Sequence, residues 1–182
     1  NHEDAQALAD MLHTLYTFPK PTITLAQGSV LGGGFGLIAA SDITFAADNA
    51  VFGLPEVRIG ITPSMISPYV IAALGERAAH YYFLTGERFG AEEAKRLNLV
   101  HKVTSAAELR DAGIKLAQLL LDNSPRAMTA AKHLLHFVAK QSINPQLAQK
   151  TAEHLALLRV SPEAQEGLRA FVEKRQPSWQ SG

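Results

Sequence analysis

The sequence predicts an α/β domain followed by a wholly helical region. In the first 104 residues, short β-branched segments alternate with helical segments, which is typical of an α/β domain. From residue 105 onward the apolar residues follow helical spacing, and each segment has its own helix-start signal. We therefore place an α/β core at 1–104 and a C-terminal helical region at 105–182.

The core is predicted to open with an amphipathic helix, in which Leu8, Leu12 and Leu15 recur at helical spacing before Pro19 ends the pattern. β-Branched composition and alternation predict strands after it. The predicted strands are 22–28, 43–48 and the short strand or turn 49–53. A glycine run and a small-residue helix separate the first two of these strands.

The second half of the core is predicted to be mainly helical. A loop between prolines covers 55–64, and a helix then begins at Ser67 with a proline in its first turn. Gly75 and Gly86 end two successive helices. A short helix and a strand that ends at residue 104 complete the core.

Four helices are predicted beyond residue 105, because four start signals follow one another. Ser105 has Glu108 three residues on, which is the capping-box pattern. The other three helices begin at a Ser-Pro or Asn-Pro pair, headed by Ser124, Asn144 and Ser161.

Composition narrows the classes of function. The formal net charge is zero, which gives no general electrostatic reason to bind nucleic acid or an anionic membrane. There is no cysteine and therefore no disulfide or thiolate chemistry. No apolar run has the length of a membrane span, and we expect a cytoplasmic location. The chain starts at Asn1 inside a predicted helix, so we expect that an N-terminal part is missing.

The glycine run is the unusual feature of the sequence, with five glycines in residues 28–36. It is not a P-loop, since no Gly-Lys-Ser/Thr follows, and the dinucleotide pattern fails because Leu37 stands at its third glycine. Two interpretations remain open. The glycines either pack a helix closely on the sheet, or they present backbone N–H groups to an oxyanion.

Three stretches in order give the sequence a resemblance to a known family. Residues 19–63 contain P-K-P, G-G-G and F-G-L-P-E, residues 74–103 contain L-T-G and A-E-E-A, and residues 166–179 read E-G-L-R-A-F-V-E-K-R-Q-P-S-W. The chain resembles the crotonase, or enoyl-CoA hydratase/isomerase, superfamily. This resemblance implies the C-terminal part of a crotonase-like spiral of β-β-α turns, followed by a helical layer that forms homotrimers or hexamers.

The resemblance also implies an acyl-CoA thioester as substrate, with no cofactor besides the coenzyme A of that substrate. Gly33 matches a backbone N–H donor to the thioester oxygen, and the second donor falls in the missing N-terminal part. Glu56 matches a catalytic glutamate that acts as general acid/base. The other residues that we expect in the substrate site are Gly32, Gly34, Gly36, Pro55, Ser64, Phe171 and Lys174.

Gly36 departs from the family pattern, because hydratases usually have a first glutamate at this position. Three hypotheses therefore stay open: a hydratase that uses Glu56, a Δ3-Δ2 enoyl-CoA isomerase with Glu56 as its only base, and a non-catalytic acyl-CoA-binding member. The letters I-S-P-Y-V at 66–70, together with G-G-G-F-G-L at 32–37, resemble bacterial hydratases of branched glutaconyl-CoA esters, in leucine or terpene breakdown. Arg58, Ser64 and Ser67 are candidates for contact with the distal carboxylate of such a substrate, although for Arg58 a solvated loop charge is the favoured interpretation.

The histidines do not predict a metal site. His133 and His136 lie three residues apart on one predicted helix, but no third ligand is near them in the sequence. We therefore predict no metal.

Overall fold

Residues 2–180 are described by the structure, which is a computed structural model. The chain divides into two compact units. The first comprises the chain up to Phe18 together with Thr22–Lys115, and the second comprises Pro19–Pro21 together with the chain from Leu116 onward.

Among the residues that the structure describes, the first unit contains helices and six short strands. Its helices are α1 (His2–Thr17), α2 (Gly33–Ala40), α3 (Ser67–Leu74), α4 (Glu76–Thr85) and α5 (Ala91–Arg96). Its strands are β1 (Ile23–Ala26), β2 (Ser29–Leu31), β3 (Ile43–Ala47), β4 (Val51–Gly53), β5 (Arg88–Gly90) and β6 (Lys102–Thr104). Helix α6 (Leu109–Leu121) runs from the first unit into the second. The second unit continues with α7 (Pro125–Val138), α8 (Pro145–Arg159) and α9 (Pro162–Val172).

The strands form two three-stranded sheets. One has the order β1-β3-β6 and is parallel throughout. The other has the order β2-β4-β5, in which β2 and β4 are parallel and β5 is antiparallel to β4. The sequence did not predict β2 and β5. Each is three residues long, and its conformation depends on pairing with β4 rather than on its own composition.

Aromatic side chains form the centre of the first unit's core. The Phe35 and Phe52 rings are fully buried, with their centroids 6.3 Å apart. The Phe89 ring stacks on Phe52 at 5.7 Å and contacts the Tyr82 ring at 4.2 Å. Edge-to-face and offset ring pairs of this kind add to the stabilisation from burial. These four residues join α2, β4, β5 and α4, so the elements around the glycine run are fixed to one core.

Side chains hold the ends of several elements as the sequence predicted. The hydroxyls of Ser124 and Ser161 and the Asn144 side-chain oxygen accept hydrogen bonds from the first turns of α7, α9 and α8. In the core, the Asp42 carboxylate accepts from the Thr22 N–H at 2.7 Å and from its hydroxyl at 2.9 Å. This contact ties the start of β1 to the end of α2.

The segment 55–64, which was predicted to be a loop, is a loop only in its second half. Its first five residues, Pro55–Ile59, form a 3-10 helix.

Candidate active site

Two parallel strands end side by side and bring together the residues that follow them. In the last register pair Leu31 of β2 lies beside Gly53 of β4, and the Gly32 N–H donates to the Gly53 carbonyl at 3.3 Å. The chain then enters α2 after β2, and it enters the 3-10 helix Pro55–Ile59 after β4. Open α/β sheets bind ligands beyond the carboxyl ends of their strands, so this edge is the candidate site.

Gly32 makes the turn from β2 into α2. Its backbone has φ 52° and ψ −119°, a combination that only glycine adopts at low cost. A Cβ atom added at Gly32 would lie 3.3 Å from the Glu56 Oε1 atom. The backbone and the neighbouring carboxylate therefore both require glycine at this position.

Gly33 begins α2 and is exposed, as is Gly34. The Gly36 N–H donates to the Gly32 carbonyl at 3.2 Å, so the Gly33 N–H precedes the hydrogen-bonded turns of the helix. No atom outside the local chain lies within 4 Å of a Cβ added at Gly33 or Gly34. The positive end of α2 thus presents backbone N–H groups to open space, which is a geometry that suits a polarised carbonyl oxygen.

Glu56 supplies the titratable group of the site. It is the second residue of the 3-10 helix and is half-buried. Its Oε1 atom lies against Gly32, and its Oε2 atom is buried without a hydrogen-bond partner among residues 2–180. A buried polar atom without a partner is costly unless a ligand, a water or a proton supplies one. The carboxylate is therefore suited to bind or transfer a proton at the start of α2.

Gly36 is buried one turn further along α2. A Cβ added there would lie 2.2 Å from Ile66 Cγ2 and 3.6 Å from Leu12 Cδ2. Ile66 is itself only 3% exposed. The space that a side chain at position 36 would need is thus occupied by Ile66. Nothing local in the sequence connects these two residues, so their contact could not be predicted.

The remaining predicted residues of the first unit lie on the 3-10 helix and in the loop after it. Pro55 is half-buried and opens the 3-10 helix. Ser64 is exposed, and its Oγ atom lies 2.6 Å from Thr62 Oγ1, while the Ser67 hydroxyl donates to the Ser64 carbonyl. Arg58 lies over Gly86 at the end of α4, with its Nε atom 3.1 Å from a Cβ added at Gly86.

Phe171 and Lys174 belong to the second unit. Phe171 is 83% exposed near the end of α9, and Lys174 follows the helix with φ 54°. The next residue fixes this segment, because the Arg175 guanidinium donates to the Glu166 carboxylate at 2.7 and 2.9 Å and to Glu173 at 2.7 Å. Its bonds to Glu166 lower the pKa of that carboxyl to about 2. Both predicted residues are therefore held at the surface of this unit.

Within residues 2–180, no three or more histidine, aspartate or glutamate side chains are grouped so that they could hold a metal ion. No helix in this part of the chain is both long enough and apolar enough to cross a bilayer.

Comparison with known sequences gives a match along nearly the entire chain. A sequence model described as enoyl-CoA hydratase/isomerase matches residues 2–182. The carnitinyl-CoA dehydratase of Escherichia coli K12 is 35% identical over 172 residues, which are 92% of this chain and 66% of that protein.

Solved structures give the same match. An enoyl-CoA hydratase from Shewanella pealeana superposes with a TM-score of 0.94 at 46% identity, covering 98% of this chain and 67% of that one. Pseudomonas aeruginosa AtuE superposes with a TM-score of 0.89 at 36% identity, covering 96% of this chain and 67% of that one. The chain spans about two thirds of the length of these relatives.

Proposed function

The chain belongs to the enoyl-CoA hydratase/isomerase family, and from this membership we propose that it adds water across the C2–C3 double bond of an enoyl-CoA thioester. The supporting observation is the Glu56 carboxylate, which lies against Gly32 and has a buried oxygen without a partner among residues 2–180. The crotonase-like fold that the sequence indicated is confirmed by the solved structures.

The backbone at the start of α2 polarises the thioester in this proposal. The thioester oxygen accepts a hydrogen bond from the Gly33 N–H, at the positive end of the helix. Negative charge grows on this oxygen as water attacks C3, and a fixed donor stabilises it without reorganising. Loss of one such donor typically costs about 2.7–4 kcal/mol of transition-state stabilisation.

Glu56 transfers the protons in this proposal. The water oxygen forms its bond to C3 while the carboxylate takes one proton from that water. The carboxyl group then returns a proton to C2, and both parts of the water molecule are in the product. Acid–base catalysis by a positioned side chain contributes roughly 10²–10⁴-fold to a rate.

Replacement of Glu56 by glutamine tests the proposal in the full-length protein. Glu56→Gln keeps the size of the side chain but cannot exchange a proton, so we expect kcat to fall by about 10²–10⁴-fold while acyl-CoA binding is retained. Loss of the enoyl-thioester absorbance measures turnover, and calorimetry measures binding. Glu92→Gln, at an exposed position of α5, is the matched control. Wild-type turnover by Glu56→Gln would contradict the assignment.

A Δ3-Δ2 enoyl-CoA isomerase is the second candidate, and the contact between Gly36 and Ile66 favours it. Ile66 occupies the space beside position 36, where the family resemblance places the first glutamate of two-glutamate hydratases. A single carboxylate suffices for isomerisation. Glu56 removes a proton from C2, the double bond moves from C3–C4 to C2–C3, and the proton is returned to C4.

The direction of the absorbance change separates the candidates. A hydratase consumes a 2-enoyl thioester, and the absorbance of its conjugated double bond falls. An isomerase supplied with a 3-enoyl thioester creates that band. A member that only binds acyl-CoA changes neither signal, although calorimetry detects its binding.

We also propose a branched glutaconyl-CoA as substrate and a homotrimer or hexamer as the assembly. The resemblance of I-S-P-Y-V at 66–70 supports the first, and the exposed apolar side chains of the second unit support the second. A cytoplasmic location is part of the same proposal. Comparison of kcat/KM between a glutaconyl-CoA ester and crotonyl-CoA tests the substrate.

A further inference from the structure

The Arg58 side chain packs on a glycine rather than on a carboxylate. It is the fourth residue of the 3-10 helix that carries Glu56. No hydrogen bond or ion pair of its guanidinium is found within residues 2–180. A Cβ added at Gly86 would lie 3.1 Å from Arg58 Nε and 3.3 Å from Arg58 Cγ. The stem and the head of the arginine thus both cover the backbone of Gly86.

Gly86 is a fixed point of the first unit. It is buried, ends α4 in the left-handed conformation with φ 59°, and donates its N–H to the Tyr82 carbonyl at 3.1 Å. The Tyr82 ring lies in the aromatic core at 4.2 Å from Phe89. The Leu54 carbonyl lies 3.5 Å from the same added Cβ, so the residue before the 3-10 helix also approaches Gly86.

Electrostatic attraction to the end of α4 also favours the contact between Arg58 and Gly86. The last carbonyl groups of a helix form the negative end of its dipole, and a cation placed there is stabilised. Arg58 lies at this end of α4. A backbone hydrogen bond closes the end of the 3-10 helix: the Ile61 N–H donates to the Glu56 carbonyl at 3.2 Å.

We propose that Arg58 is the positioning residue of Glu56, which it holds against Gly32 by fixing the 3-10 helix to Gly86 at the end of α4. This inference rests on the proposed function of Glu56. It also gives Arg58 a role other than contact with a distal carboxylate of the substrate.

Three arginine variants of the full-length protein test the positioning role. We expect Arg58→Ala to lower kcat by about tenfold to a hundredfold, since a misplacement of about 1 Å costs on the order of a hundredfold, and to leave KM unchanged. Arg58→Lys keeps a long stem and the charge, and it restores most of kcat. Arg77→Ala, at an exposed position of α4, is the matched control and keeps wild-type kcat.

Combining Arg58→Ala with Glu56→Gln distinguishes a positioning role of Arg58 from a purely structural one. With no carboxylate to position, Arg58→Ala has no further effect on the residual rate. A further loss in that background would overturn the inference. Thermal midpoints of all variants establish that each is folded at the assay temperature.

If Arg58→Ala does not fold, Gly86→Ala tests the same positioning role. The added methyl displaces Arg58, so kcat falls at unchanged KM. Wild-type kcat in a folded variant at either position would overturn the positioning role. A wild-type protein that is inactive on both 2-enoyl and 3-enoyl thioesters would instead overturn the proposed function.

Discussion

Single residues of the glycine run have separate tasks. Gly32 provides a backbone conformation and leaves room for the Glu56 carboxylate. Gly33 presents the first N–H group of α2, whereas Gly36 lets Ile66 approach the helix. The close packing at Gly36 is against Ile66 and Leu12 of neighbouring helical elements rather than against the sheet, and the presentation of N–H groups to an oxyanion at Gly33 stays a prediction.

A pair of alanine substitutions separates backbone strain from contact with Glu56. Gly32→Ala places a methyl 3.3 Å from Glu56 Oε1 in a strained conformation, and we expect about 1–3 kcal/mol of lost stability together with a loss of kcat. Gly28→Ala also has positive φ, 65°, but its methyl would meet no atom within 4 Å. Gly28→Ala should therefore lower the free energy of unfolding and keep the wild-type kcat. Urea unfolding and steady-state kinetics measure both effects, and equal kcat values in the two variants would contradict this account.

The resemblance of the chain's motifs to a known family singled out Glu56 and Gly33 in the sequence, and their catalytic roles stay predictions. It could not predict Ile66 beside Gly36 or Arg58 over Gly86. Those contacts depend on how α3 and α4 pack, which no local propensity encodes. Predictions from a sequence thus fail first where a side chain's neighbour comes from a distant element.

The helices α7, α8 and α9 begin at residues whose side chains cap their first turns. Proline in the first turn and a Ser or Asn cap located α7, α8 and α9 from the sequence alone. The three-residue strands β2 and β5 lack such signals and acquire their conformation from β4. The starts of α7, α8 and α9 were therefore predictable from the sequence, whereas α6 begins at Leu109 although Ser105 was predicted to cap it, and the short strands β2 and β5 were not predicted.

The stability that the segment after α9 contributes should fall at acid pH. Arg175 lowers the pKa of Glu166 from 4.5 to about 2. A depressed carboxyl pKa stabilises the fold above pH 4.5, and this contribution is lost as the pH falls through about 2. Arg175→Ala should therefore lower the thermal midpoint at pH 7 but have little effect near pH 2. Added salt should reduce the difference at pH 7, because the Arg175 side chain is 40% exposed to solvent.

Thermal melts between pH 7 and pH 2 provide the measurement. Arg159→Ala, which removes an exposed arginine from the end of α8, is the control and should show no such dependence. A loss from Arg175→Ala that stays constant down to pH 2 would mean that packing, rather than charge, holds this segment.

At the scale of the molecule, the second unit exposes many large apolar side chains. They are Leu119, Leu121, Leu135, Phe137, Ile143, Leu155, Leu157, Val160, Leu168, Phe171 and Val172. Large exposed apolar patches mark interaction surfaces in soluble proteins. Association of identical chains would remove this surface from water.

We therefore expect the full-length protein to sediment as a trimer or hexamer and Leu157→Glu to shift it to smaller species. Leu157 is 74% exposed on α8, and a charge buried in an interface without a partner is costly. Gln146→Glu adds the same charge at an exposed polar position of α8 and should leave the mass unchanged. A monomeric wild-type protein would refute the proposed assembly.

The pairing of strands also sets an order of folding. Ile23 pairs with Ile43 and Ser29 with Val51, partners about twenty residues apart, whereas Phe45 pairs with Lys102 across 57 residues. Closing a longer loop costs more chain entropy and is slower. During refolding, pulsed deuterium labelling should find the β1–β3 and β2–β4 amides protected before those of β6. The last strand would then complete a sheet whose first pair, β1 and β3, had already formed.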